Sequence, residues 1–148
     1  MEPRIKVTDE NNQEFIAELS RFLMQFNEAQ SGTKYDGQAL AIQLTHPESG
    51  EVLGGLLGST SYAHLHVDAV FIPESLRGLG FGKKLMCWAE EEARKRGCVG
   101  AWLDTFSFQA RGFYEKLGYE VFGELADNPP GHTRYILKKS LSESQATA

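Results

Sequence analysis

Apolar side chains recur along this chain with two different periods, and each change of period marks a new element. Over residues 12–27 the period is helical: Phe15, Ile16, Leu19, Phe22, Leu23 and Phe26 form one stripe, and Glu14, Glu18, Arg21 and Gln25 fill the opposite face. Asn11 followed by Glu14 has capping-box spacing, and Gly32 marks the far end. A short strand over residues 5–7 is expected before it. From residue 38 the period is two. Leu40, Ile42 and Leu44 alternate with small and polar residues, His46-Pro47-Glu48-Ser49-Gly50 turns the chain, and residues 52–62 read as the returning strand. Its glycines, Gly54, Gly55 and Gly58, mark bends or a close backbone approach. Residues 64–72 form a further strand, stopped by Pro73.

The helical period returns over residues 80–96, with Gly82, Leu85, Met86, Ala89 and Ala93 on one face and Gly97 as the natural end. A strand is expected over 99–104 and a short helix over 108–117, capped by Ser107 at its start and Gly118 at its end. Residues 119–125 and 132–139 alternate as strands around Asp127-Asn128-Pro129-Pro130-Gly131. Residues 141–148 are small and polar and are expected to fray. Trp88 and Trp102 are expected in the core, Cys87 and Cys98 as small buried hydrophobes, and Arg134, Lys138 and Lys139 on a solvated strand face. The order of elements is that of an α/β (α+β) sheet with helices packed on it.

Composition narrows the function. A chain of 148 residues with 41% hydrophobic side chains is one compact domain, expected over residues 1–140, and too apolar for a disordered segment. No apolar run approaches the roughly 20 residues of a membrane span, and the first residues carry no secretion-signal core. Two cysteines make neither a disulfide framework nor a zinc quartet, so a cytoplasmic location is expected. A net charge of −5 argues against a nucleic-acid partner. That charge is uneven. Residues 76–84 hold Arg77, Lys83 and Lys84 and no acid, inside an otherwise acidic chain.

The basic island coincides with Gly78-Leu79-Gly80-Phe81-Gly82, between a strand and a helix. Glycines there let backbone N–H groups converge, and the helix dipole adds positive potential, so the turn suits phosphate oxygens. Cations in a first helical turn oppose the dipole unless an anion neutralises them. The plain alternative is a tight turn with solvated lysines. A P-loop does not fit, because Lys84 stands where Ser or Thr should hold magnesium. A dinucleotide fingerprint fits better, with Asp104 ending the next strand, but Lys83 occupies the place of its third glycine.

Arg77-x-x-Gly80-x-Gly82 resembles the pyrophosphate-loop signature of the GNAT superfamily of N-acetyltransferases. Ala110-Arg111-Gly112-Phe113-Tyr114-Glu115-Lys116-Leu117-Gly118-Tyr119 resembles the second signature of that family, and the two stand in the family's order. The stretches Leu103 to Phe108 and Pro130-Gly131-His132 look like a bacterial subgroup of it. The resemblance implies the acyl-CoA N-acyltransferase fold, a mixed and mostly antiparallel sheet of about six to seven strands flanked by helices. It implies acetyl-CoA as cosubstrate, its pyrophosphate on Arg77, Gly78, Leu79, Gly80, Phe81, Gly82 and Lys83. It places the pantetheine arm along Val70, Phe71 and Ile72, with an amide near Val70 polarising the acetyl carbonyl. Tyr114 matches the tyrosine that protonates the leaving thiolate. Ser107 stands where many members have an asparagine that contacts the pantetheine.

Acetyl transfer from a thioester to an amine needs a proton acceptor for the ammonium, a donor for the developing oxyanion and an acid for the thiolate. His64, His66 and Asp68 alternate on one strand face leading into the acetyl-binding segment and compete for the role of base. A solvent-facing polar stripe is the alternative for each. His64-x-His66-x-Asp68 also resembles the metal motif of metallo-β-lactamase-like hydrolases, but Ala69 replaces the next histidine, so no metal is expected. The expected function is acetyl transfer from acetyl-CoA to a primary amine, preferably of a small cationic molecule, by direct attack in a ternary complex. Acetylation of a protein N-terminus or lysine, and a non-catalytic acyl-CoA-binding module, are the alternatives. A homodimer is left open.

Overall fold

A computed structural model describes residues 1–142. They divide into two compact units between Tyr35 and Asp36. The first holds one helix, α1 (Gln13–Ser31), whose start is capped by Asn12: its side chain accepts from the Phe15 N–H at 3.1 Å. The cap falls one residue later than the expected Asn11. Gly32 ends the helix at φ 71°, as its position suggests, with its N–H on the Glu28 carbonyl. The apolar stripe runs along α1 as expected, yet no residue of the helix is buried. Residues 5–7 form no strand, and Ile5 and Val7 are exposed. An extended segment needs a neighbouring ladder for its N–H and C=O groups, and none is supplied here.

The second unit is a sheet of six strands: β1 (Gln38–Thr45), β2 (Val52–Ser61), β3 (His64–Phe71), β4 (Gly100–Phe106), β5 (Glu120–Ala126) and β6 (Thr133–Ser140). Their spatial order is β1-β2-β3-β4-β6-β5. Every neighbouring pair is antiparallel except β3 and β4, which are parallel. A parallel pair needs a long crossover, and α2 (Phe81–Lys95) supplies it. A second helix of this unit, α3 (Arg111–Lys116), lies between β4 and β5 in the chain.

Strand alternation builds the core on one face. Leu40, Leu56, Leu65, Val67, Leu103 and Leu137 pack against Leu85, Met86, Ala89 and Ala93 of α2. The same alternation corrects several expectations. Trp102 stands between the buried Ala101 and Leu103 and therefore points to the other face, where it is 39% exposed. Trp88 falls outside the buried stripe of α2, as does the exposed Cys87, whereas Cys98 is buried as expected. Lys139 shares its face with Leu137 and is drawn into the interior rather than into water. Leu141 does not fray: it is buried, its N–H bonds the Val99 carbonyl, and its own carbonyl accepts from Arg94. The rest of the expected tail, from residue 143, lies outside the described residues.

Candidate active site

The decisive local feature is a bulge in β3. Gly58 of β2 faces Val67 and the next residue back, Leu57, faces Ala69, so Asp68 is an extra residue on β3. Bulges raise local twist and end pairing. On the other side of β3 the ladder with β4 stops at Val67↔Leu103, although β3 runs on to Phe71 and β4 to Phe106. The two strands therefore part beyond the bulge. Among the described residues, no strand lies beside one edge of β3 from Asp68 to Phe71.

The direction of the free groups follows from alternation. A Cβ placed on Gly54 of β2 would lie 2.4 Å from the Phe71 carbonyl, so Phe71 directs its backbone groups at β2. Val70, one residue earlier, turns its N–H and C=O to the open edge. An unpaired N–H and C=O beside a cleft are strong, specific hydrogen-bonding groups.

The glycine-rich loop is tied to this end of β3. The Arg77 guanidinium donates to the Ile72 carbonyl at 2.9 Å, and it also lies over the Phe71 ring. Gly78 and Gly80 take φ of 77° and 85°, and a Cβ on either would meet nothing within 4 Å, so they serve the turn and not packing. Gly80 caps α2, the first turn of α2 carries no acid, and the first helical amide to reach a carbonyl is that of Lys84, on Gly80 at 3.1 Å. The amides of Phe81, Gly82 and Lys83 are thus left at the positive end of the helix. Lys83 and Lys84 are exposed. Gly82 has a packing role: a Cβ there would stand 3.1 Å from the Phe113 ring and 3.8 Å from Ile72.

Phe113 is the piece that sequence reasoning missed, because it carries no chemistry. It brings α3 against the loop, and with it Tyr114, whose ring lies 5.0 Å from that of Phe113. Tyr114 packs at the margin of the core, and burial pushes its hydroxyl pKa up. Among the described residues the Tyr114 hydroxyl has no hydrogen-bond partner. It is a neutral phenol with its proton available.

The three base candidates are not equivalent. His66 Nδ1 pairs with Asp68 Oδ1 at 2.5 Å, its ring lies 4.0 Å from Trp102, and its Nε2 is buried without a partner. Asp68, on the bulge, is half exposed beside the parting strands. His64 stands at the opposite end of β3, about 20 Å from Val70 along the strand, with Nδ1 on the Tyr62 carbonyl. A cavity of about 700 Å³ lies at that paired end, lined by His64, Val99, Trp102, Glu120, Phe122 and Lys138. No residue of the loop and not Tyr114 lines it, so the cavity and the parting of β3 from β4 are separate features. Ser107 caps no helix, since α3 begins at Arg111 after Ala110. Its Oγ accepts from the Thr133 N–H at 3.0 Å and approaches His132 Nδ1 at 3.5 Å, joining the end of β4 to the start of β6. No group of three or more His, Cys, Asp or Glu among the described residues could hold a metal ion, and no helix among them is long and apolar enough to cross a membrane.

This corner of the mixed sheet holds a parted parallel pair and an amide-rich helix start, and α3 carries the half-buried Tyr114 phenol. The chain belongs to the acetyltransferase (GNAT) family, whose model matches residues 6–119. It is 42% identical over 95 residues to the blasticidin-S acetyltransferase of Streptomyces morookaense, covering 64% of this chain and 70% of that protein. It is 39% identical over 117 residues to the acetyltransferase Atu2258 of Agrobacterium fabrum, covering 79% and 84%. A crystal structure assigned to an acetyltransferase of Agrobacterium tumefaciens superposes with a TM-score of 0.86 at 35% identity, over 93% of this chain and 99% of that one. The chain is an acetyl-CoA-dependent acetyltransferase by family.

Proposed function

We propose that the chain transfers the acetyl group of acetyl-CoA to a primary amine of a small cationic molecule, by direct attack with both substrates bound. The observation that carries this reading is the open edge of β3 at Val70, just before the Ile72 carbonyl to which Arg77 fastens the loop, with α3 held to that loop through Phe113 on Gly82. The residues present fit the cosubstrate: the loop glycines leave space over the helix start, no carboxylate stands in that turn, and the free strand edge can pair with an amide-bearing arm. Arg77 acts here by fastening the loop to Ile72, while the amides from Leu79 to Lys83 and the Lys83 ammonium receive the pyrophosphate. Acetyl-CoA supplies an activated thioester.

The residues then divide the proton traffic. The Val70 N–H donates to the carbonyl oxygen as negative charge develops on it. Tyr114 gives its proton to the departing sulfur, which suits a phenol kept neutral by burial. The half-exposed Asp68 carboxylate attracts the incoming ammonium and takes its proton, directly or through water, while His66 holds that carboxylate through Nδ1. His64, at the far end of β3, takes no part. Ser107 holds the end of β4, and its bond to Thr133 replaces the contact that the resemblance implies for the pantetheine.

The similarity to a blasticidin-S acetyltransferase supports an antibiotic-like amine as acceptor. The acidic composition of residues 1–75 supports a cationic one. A cytoplasmic setting agrees with two free cysteines. Thiol release from acetyl-CoA, measured against blasticidin S, aminoglycosides, polyamines and peptide N-termini, tests the reading. Turnover with one of the small cations and not with peptides is expected. Turnover with peptides alone would overturn the acceptor class, and binding of acetyl-CoA without any turnover would reduce the chain to a binding module.

A further inference from the structure

Among the described residues Tyr114 makes no hydrogen bond through its hydroxyl, so its place is set by what packs around α3 and by the backbone that follows it. That backbone leads into a buried polar cluster. The Tyr119 N–H bonds the Tyr114 carbonyl at 3.1 Å, and the two rings meet edge to face at 6.2 Å. The Tyr119 hydroxyl donates to Glu90 Oε2 at 3.0 Å, and Lys139 Nζ donates to Glu90 Oε1 at 2.7 Å. Glu90 is 4% exposed and Tyr119 3%. Lys139 also runs beside Gly118, where an added Cβ would stand 3.4 Å from its Cε, and over the Tyr119 ring. Gly118 takes φ 98°, so the turn between α3 and β5 needs glycine for its backbone, and the lysine stem passes it at ordinary contact distance.

We propose that Glu90, Tyr119 and Lys139 are positioning residues that set Tyr114 against the coenzyme loop. Glu90 belongs to α2, whose first turn is that loop; Lys139 belongs to β6, bonded to β4; Tyr119 is joined through the backbone to Tyr114. The cluster therefore fastens three elements at one point, below the acid that the proposed function requires. A buried ion pair is a poor source of net stability, because desolvation offsets the attraction, and an apolar trio could fill the same volume. What directional bonds add is register. The carboxylate accepts from two elements at once, which fixes the distance between the start of β5 and the α2 axis. Loosening it would let Tyr114 drift, and small misplacements of an acid are expensive in rate.

This inference rests on Tyr114 acting as the acid, and a double-mutant cycle separates the two. Tyr119→Phe keeps the ring and removes the bond to Glu90. In the wild-type background kcat is expected to fall about tenfold while KM for acetyl-CoA stays within about twofold. In a Tyr114→Phe background the same change is expected to alter kcat less than about twofold, since the residue to be positioned has lost its function. Equal losses in both backgrounds, or no loss in the first, overturn the positioning role while leaving the acid role intact. A Tyr114→Phe protein with full turnover overturns the acid role, and this inference with it. Should Tyr119→Phe fail to fold, Lys139→Met run through the same cycle decides between the same outcomes.

Discussion

The two halves of β3 have similar residues and opposite fates. From His64 to Val67 the strand is bonded on both sides and its alternate residues Leu65 and Val67 are buried; His64 lies over Gly100 with Nδ1 on the Tyr62 carbonyl, and His66 reaches across to Asp68. From Asp68 to Phe71 it is bonded on one side, and the glycine-rich loop is fastened just beyond it through Arg77 on Ile72. The difference is one extra residue, Asp68, in the pairing with β2. A saturated ladder gives stability and leaves no donors over. An interrupted one gives up part of its pairing and exposes main-chain groups that the rest of the sheet holds rigid.

The contrast can be broken most severely at Val70. Val70→Pro removes an N–H that faces no strand, so the β2 ladder should persist, as proline is tolerated where its nitrogen faces away from a neighbour. Turnover is expected to fall roughly 100- to 1,000-fold, with a melting temperature close to wild type. Full activity would show that the open amide is idle. At the paired half the expected loss is of stability. Leu65→Ala empties a fully buried site and should cost about 2–5 kcal/mol in denaturant titrations, with kcat of the remaining folded protein little changed.

A smaller effect is expected in the loop. Gly80 at φ 85° resists any side chain, and Gly80→Ala should strain the helix start by about 1 kcal/mol. Part of that appears as a KM for acetyl-CoA raised about twofold, and an unchanged KM would detach Gly80 from the coenzyme. Alkaline pH probes the same corner. The hydroxyls of Tyr114 and Tyr119 are raised from 10.0, Tyr114 by burial and Tyr119 by burial and by Glu90. The unfolded chain releases these protons first, so the stability they contribute is complete below pH 10 and is lost as pH rises above it. Melting temperature should therefore decline on that side, and Tyr119→Phe should flatten the decline. The least effect is expected at His64. His64→Ala should change kcat less than about twofold, whereas Asp68→Asn lowers it; equal losses would erase the distinction between the halves.

Much of this was readable in advance where the signal is local. Gly78 and Gly80 announce the loop because its turn needs left-handed backbone, and glycine adopts that conformation without strain. Leu40, Ile42 and Leu44 announce a strand because alternation is a property of the backbone. Trp88, Trp102 and Lys139 were misjudged because residue type was weighed above phase. Lys139 is two positions from Leu137, and Glu90 stands on the stripe with Met86, Ala89 and Ala93, so their burial was present in the spacing. Ser107 looked like a cap, and it became a bridge once Thr133 was folded beside it.

By itself, then, the sequence determined the family, most of the elements and the glycine-rich turn, since each depends on residues close together in the chain. The tertiary structure alone decided which strand edge is free, which of His64, His66 and Asp68 stands beside it, and that Glu90, Tyr119 and Lys139 meet. Those facts depend on register between distant segments. One extra residue in a ladder moves a donor from a paired edge to an open one without leaving a mark in composition or period.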